Sequence, residues 1–102
     1  MSQLTIFETS DLATTNLAKL SKFLGSSSYR LDSEWAMVRT WSILGSTQLE
    51  IIYIKPDDSW SVTFHIFNDK TSYRKRLDKV DFDIAQAWLE ANAEFIMENM
   101  KR

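Results

Sequence analysis

The chain contains no cysteine, one proline and two glycines in 102 residues. The missing cysteines exclude disulfide bonds, thiolate nucleophiles and zinc sites built from cysteine. The chain must therefore be stable without covalent cross-links, and a composition that is 44% hydrophobic and 13% aromatic can supply the necessary core. No linker or low-complexity stretch interrupts it beyond the short serine run at 26–28. A single α+β domain is predicted over residues 1–102.

Signals for targeting, cofactors and metals are also missing from the sequence. There is no basic and apolar N-terminal segment of the signal-peptide type, and no apolar run of membrane-spanning length. A cytoplasmic protein without membrane association is therefore expected. No glycine-rich phosphate loop, Walker motif or dinucleotide motif occurs. The acidic pair Asp57 and Asp58 is typical of a turn, and no cluster has metal-ligand spacing. We expect neither a cofactor nor a metal.

The charge is nearly balanced overall but is divided along the chain. The formal net charge is −2 and the pI is about 5.3, whereas a general nucleic-acid binder is usually basic. Residues 70–79 carry Lys70, Arg74, Lys75, Arg76 and Lys79 against the single acid Asp78. Residues 81–98 carry Asp81, Asp83, Glu90, Glu94 and Glu98 and no base. This division fits either a solvated strand beside a solvated helix, or opposite patches that steer a partner.

Two amphipathic helices are predicted, one toward each end of the chain. The first runs roughly from Ser10 to Leu24, with apolar residues spaced by three or four positions and Gly25 at the expected C-terminal cap. The second runs roughly from Phe82 to Met100, with Asp81 as its N-cap. The segment Leu4–Phe7 before the first helix fits either a short edge strand or an extended arm.

Between the helices the hydrophobic period changes to two, which is typical of strands. Turn residues at 45–46, 56–59 and 68–69 indicate hairpin connections. The predicted strands are Trp35–Leu44, Gln48–Lys55, Trp60–Phe67 and Thr71–Leu77. The predicted fold class is α+β: a four-stranded antiparallel meander with an N-terminal and a C-terminal helix packed on one face, an α-β-β-β-β-α two-layer sandwich.

The hairpin loop lengths also predict which residues share a face of the sheet. They place Thr40 opposite Ile51, Ile51 opposite Phe64, and Phe64 opposite Tyr73. The face that should pack under the helices then consists of Val38, Leu49, Ile51, Tyr53, Trp60, Val62, Phe64, Ile66, Tyr73 and Leu77. The opposite face interleaves arginines with Trp35, Met37, Trp41, Ile52 and Ile54.

That second face is the main functional clue in the sequence. Tryptophan and arginine are the residues enriched at binding hot spots. The predicted partner-binding residues are Trp35, Arg39, Trp41, Glu50, His65, Arg74 and Arg76. They favour a non-enzymatic protein-interaction domain, of the inhibitor, immunity, adaptor or chaperone type by analogy of fold. The expected partner is an acidic protein, or a second copy of the chain in a two-fold homodimer. In the opposing interpretation, the tryptophans pack beneath the N-terminal arm or the 25–34 loop.

Two other functions use the same face. Exposed aromatics and arginines on a sheet can stack and bind single-stranded nucleic acid. A small hydrolase would use His65, the only histidine, with Glu50 as its cross-strand neighbour and Ser72 on its other side. The sequence offers no evident oxyanion hole or pocket for such a set, so we expect no catalytic residue.

Overall fold

The computed structural model describes residues 16–43, 46–67 and 72–101. The elements in chain order are α1 (Asn16–Leu24), β1 (Tyr29–Asp32), β2 (Ala36–Ile43), β3 (Thr47–Ile54), β4 (Ser59–Phe67), β5 (Ser72–Val80) and α2 (Phe82–Asn99). The described strands form one antiparallel sheet in the order β1-β2-β3-β4-β5. Helix α2 packs on β4 and β5, and α1 packs on α2. The predicted two-layer α+β class is confirmed, with five strands among the described residues in place of the four predicted.

The additional strand is β1, which lies in the segment interpreted from sequence as a loop. It has only four residues, and all of them are exposed, so it carries no alternation of buried and exposed positions. The turn that joins it to β2 is closed by Ser33, whose Oγ accepts hydrogen bonds from the backbone N–H groups of Trp35 and Ala36, both at 3.1 Å. A short exposed strand of this kind is specified by its turn and not by hydrophobic pattern.

The predicted helix ends are confirmed where they are described. Asp81 caps α2, because its Oδ1 accepts a hydrogen bond from the Ile84 N–H at 3.1 Å. Gly25 follows α1 with φ of +64°, a left-handed conformation that costs glycine little. The suggested cap Ser10 and the segment Leu4–Phe7 lie outside the described residues.

The core lies between the sheet and the two helices. It contains Leu17, Leu20, Trp41, Leu49, Ile51, Trp60, Val62, Phe64, Ala85, Leu89, Ala93, Ile96 and Met100. Phe64 is fully buried, as predicted, and its ring meets that of Phe95 edge-on at 5.9 Å between centroids. The apolar stripe predicted for α2 supplies Leu89 and Ile96 to this core, so that stripe is structural.

One hairpin has a different register from the prediction, and the difference moves a whole strand to the other face. Thr40 lies opposite Glu50, and Arg39 lies opposite Ile51. The last described pair before the turn is Ile43 with Thr47, so three residues separate the paired positions where two were predicted. The extra loop residue shifts the pairing by one position, and a shift by one exchanges the faces of β2.

In the β3–β4 and β4–β5 hairpins, the observed register differs from the predicted one by two positions. A difference of two leaves each residue on its predicted face of the sheet. Ile51 lies opposite Val62, and Tyr73 lies opposite Ile66. A bulge interrupts the last pair of strands between Trp60 and Val62.

Candidate functional site

Trp41, predicted on the exposed face, belongs to the core. It is only 9% exposed, and its indole Nε1 donates a hydrogen bond to the Gly25 carbonyl at 3.0 Å. The predicted face of Trp41 is therefore wrong, because the three-residue separation between the paired positions turns alternate residues of β2 toward the helices. The opposing interpretation kept Trp41 on the second face beneath the 25–34 loop; its contact with Gly25 agrees with that, but the residue lies on the helix side of the sheet.

Arg39 is on the same side of the sheet as Trp41, so its predicted face is wrong for the same reason. Its Nη2 lies 2.9 Å from Oδ1 of Asp32, and its Nη1 donates to the carbonyl of Val38 at 2.8 Å. Arg30 bonds the same carboxylate from β1, at 3.1 Å. Hydrogen bonds from Arg39 and then Arg30 hold the pKa of Asp32 below its usual range. Arg39 thus holds β1 to β2 from the helix side.

Trp35 is exposed, as predicted, but it lies at the end of the sheet. Trp35 is part of the turn between β1 and β2, and it is 67% exposed. Its carbonyl accepts a hydrogen bond from the Lys55 N–H at 2.8 Å, one position beyond the last paired residues of β2 and β3. Its role in partner binding remains a prediction.

The other four predicted residues share the face opposite the helices, which we call the open face. His65 and Arg74 are directly opposed on β4 and β5, and Arg76 is opposed to Thr63 in the next row. Glu50 on β3 completes that second row, since it is opposed to Thr63 from the other side. The structure therefore brings Glu50, His65, Arg74 and Arg76 together on adjacent strands.

The open face also has an apolar half that the sequence interpretation largely missed. One row runs from Leu31 through Val38 to Ile52, and Tyr29 stands in the next row on β1. Tyr29 is 54% exposed and Leu31 is 43% exposed. Ile52 was placed on this face correctly, whereas Val38 was assigned to the core. The apolar residues at alternate positions 29 and 31 were the only sequence signal for the contribution of β1.

A depression of about 380 Å³ crosses the boundary between the two halves. Its lining residues are Gln48, Glu50, Ile52, Ile54, Ser61, Thr63, His65, Arg74, Arg76 and Lys79. None of the described helices packs over it. A second cavity, of about 530 Å³, lies on the helix side and is lined by Phe23, Leu24, Ser26, Ser28, Trp41, Ser42, Ile43, Met100 and Lys101.

His65 lines the depression on the open face together with Glu50, although no pocket was expected around it from the sequence. Its Nε2 lies 2.9 Å from the Ser72 hydroxyl, and its ring meets Phe67 edge-on at 4.7 Å. The residue opposed to it on β3 is Gln48, so the predicted cross-strand pairing with Glu50 is wrong. Within residues 16–43, 46–67 and 72–101, no three potential metal ligands cluster. The neighbourhood of Ser72 was predicted, and the hydrogen bond confirms it.

Comparison of the chain with protein-family models, with curated proteins and with solved structures gave no match. Neither of the two described helices has the length and apolar composition needed to cross a bilayer.

Proposed function

We propose that the chain is a non-enzymatic domain that binds a partner protein through the open face. The observation that carries this proposal is the meeting of an apolar half and a basic half on one continuous sheet surface. The expected partner presents an apolar patch beside carboxylates. Such a face would serve an inhibitor, an immunity protein, an adaptor or a chaperone equally well. We place the interaction in the cytoplasm, because the absence of cysteine fits a reducing compartment.

The apolar half supplies the area that a protein interface requires. Tyr29 and Leu31 are largely exposed, and they adjoin the half-buried Val38 and Ile52. Removing such a contiguous apolar surface from water favours association. Tyrosine adds a rigid side chain with a polar tip, a combination enriched at interfaces.

The basic half supplies orientation and selectivity for acidic groups. Arg74 is exposed and makes no ion pair within the part of the chain that the structure describes. Arg76 is also exposed and lies 3.3 Å from Asp78, at a surface where such a pair contributes little. Both guanidinium groups can therefore form bidentate hydrogen bonds with carboxylates of a partner.

Single-stranded nucleic acid is supported less well by the observed face. Stacking requires exposed aromatic rings close to the basic groups. Trp41, which would have supplied one, is buried, and Tyr29 lies on the strand at the opposite edge of the sheet from Arg74. A hydrolase is supported less well, because Glu50 is opposed to Thr63 and not to His65, the residue whose imidazole bonds to Ser72.

The test is capture of partners from a lysate of the source cell by the immobilised chain and by matched variants. Ile52→Glu places a charge in the apolar half, and Arg74→Glu reverses a charge in the basic half. Ile84→Glu and Lys22→Glu make the same changes at exposed positions of α2 and α1. We expect the chain to capture a protein partner even after nuclease treatment. The two open-face variants should lose this capture, and the two helix variants should retain it.

Other outcomes would contradict the proposal. Capture that disappears on nuclease treatment and weakens steeply with salt would indicate nucleic acid. An equal loss of partner capture in the two helix variants would show that the interface does not lie on the open face. Sedimentation of the isolated chain as a dimer that Ile52→Glu dissociates, with no other protein captured, would identify a second copy as the occupant.

A further inference from the structure

Strand β5 is both the longest exposed strand and an edge of the described sheet. It runs for nine residues and pairs with β4 on one side, and no described strand lies on its other side. A long edge strand presents a row of backbone donors and acceptors that another chain can pair with. The short edge strand β1, with four residues, offers much less of this pairing capacity.

The side chains of β5 select what can pair with it. Arg74 and Arg76 lie on the open face, and Lys75 lies between them on the helix side. Two-fold antiparallel pairing of two copies about Lys75 would place Arg74 opposite Arg76, and like charges directly opposed are unfavourable. A partner strand with carboxylates at those positions would meet the arginines at a favourable cross-strand distance.

The helix side of the same edge is apolar. The exposed rings of Tyr73 and Phe95 meet edge-on, with 5.7 Å between their centroids. Lys75 is turned back over Phe95, 5.8 Å from the ring centroid, and its Nζ donates to Oδ1 of Asn92 at 2.9 Å. Lys75 therefore contacts α2, and the rings of Tyr73 and Phe95 form an exposed apolar surface beside β5.

We propose that an extended segment of the partner adds to β5 as a sixth strand, with acidic residues alternating with apolar ones. Alternate side chains of a strand point to opposite faces, so the acidic set would meet Arg74 and Arg76 while the apolar set covers Tyr73 and Phe95. Main-chain pairing supplies affinity, and the alternation supplies selectivity. This inference rests on the proposed function and identifies the kind of partner segment.

A labelled peptide of alternating glutamate and valine, about seven residues long to match a typical strand, tests this proposal. Fluorescence anisotropy with the full chain should show saturable binding. A peptide with lysine in place of glutamate, and a glutamate–valine peptide methylated at every backbone nitrogen, should not bind. Binding of the methylated peptide would overturn the proposal, since it cannot donate main-chain hydrogen bonds.

Variants locate the peptide on the edge or on the open face. Tyr73→Lys and Arg74→Glu should each weaken binding of the glutamate–valine peptide by about tenfold or more. Tyr73→Thr, which keeps strand propensity and adds no charge, is the second edge variant and should also weaken binding if Tyr73→Lys unfolds. Ile52→Glu lies two strands inward and should leave peptide binding within about twofold.

The outcomes separate this inference from the proposed function. No binding of the glutamate–valine peptide overturns the edge proposal, while partner capture sensitive to Ile52→Glu would still support the open face. Peptide binding that Ile52→Glu abolishes and Tyr73→Lys leaves intact also overturns it. Peptide binding sensitive to the edge variants would support the edge even if no partner capture depends on Ile52.

Discussion

The carboxylate of Glu90 accepts a hydrogen bond at 2.8 Å from the backbone N–H of Leu17, a residue 73 positions earlier in the chain. Its other oxygen accepts from the Asn16 N–H at 3.1 Å. These N–H groups belong to the first described turn of α1, where helical donors lack partners within the helix. A negative group is also favoured at this positive end of the helix dipole. Glu90 is therefore a cap supplied by α2 to α1, although its sequence context suggested an acidic surface.

Removal of this cap should destabilise the fold measurably. Glu90→Ala leaves both N–H groups without their acceptor and should lower the free energy of unfolding by about 1–2 kcal/mol. Glu90→Gln retains one acceptor oxygen but loses the charge, so its cost should be smaller. Urea unfolding followed by circular dichroism measures both values. Glu94→Ala, on the exposed side of α2, is the control, and an equal loss there would refute the capping role.

Truncation of the two tryptophans in the β1–β2 region should have very different effects on the free energy of unfolding. Trp41→Ala removes a buried indole and its bond to Gly25, and should cost about 3–5 kcal/mol. Trp35→Ala removes an exposed side chain and should change stability by less than about 0.5 kcal/mol. Thermal unfolding distinguishes the pair. Similar melting temperatures for the two variants would show that Trp41 does not lie in the core.

The packing of β4 against α2 should depend strongly on one ring. Phe64 is fully buried beside Phe95, so Phe64→Ala should cost about 3–5 kcal/mol. Phe23→Ala, at an exposed position of α1, should cost less than about 1 kcal/mol. Denaturant titration of both variants gives the comparison. A cost for Phe64→Ala no larger than that for Phe23→Ala would contradict the described core.

Acid should weaken the attachment of β1 through Asp32. The arginine hydrogen bonds lower the pKa of Asp32 in the folded chain, so its contribution to stability is present above the unfolded pKa. That contribution is lost as the pH falls through the lower folded pKa. Carbon-detected NMR titration should show the Asp32 carboxyl titrating below the usual range of an aspartate, and Arg39→Gln should move its pKa upward. An unchanged pKa in that variant would exclude Arg39 as the cause.

The elements with local chemical signals could be predicted from sequence. Asp81 and Gly25 mark helix ends through caps that act within a few residues, and alternation over β3 and β4 is unambiguous. Strand β1 could not be predicted, because two apolar residues at alternate positions in a segment of four exposed residues are too short a pattern to distinguish a strand from a loop.

The faces of β2 could not be predicted because either alternation of its residues is acceptable. Trp41 and Met37 form one set with Arg39, while Val38 and Thr40 form the other, and both contain apolar atoms. A single loop residue decided between them. Consequently Glu50, His65, Arg74 and Arg76 were grouped correctly from strands whose registers shifted by two, while Arg39 and Trp41 were not.

The weak anchorage of β1 links the open face to local unfolding. All four of its residues are exposed, and it is held mainly by backbone pairing with β2 and by the Arg39–Asp32 contact. An edge element with so little buried surface exchanges its amide hydrogens sooner than the central strands do. When β1 separates, Tyr29 and Leu31 leave the apolar half with it. A partner that covers those two side chains would bind only the conformation in which β1 is paired with β2. Binding of that partner would therefore slow amide exchange throughout β1.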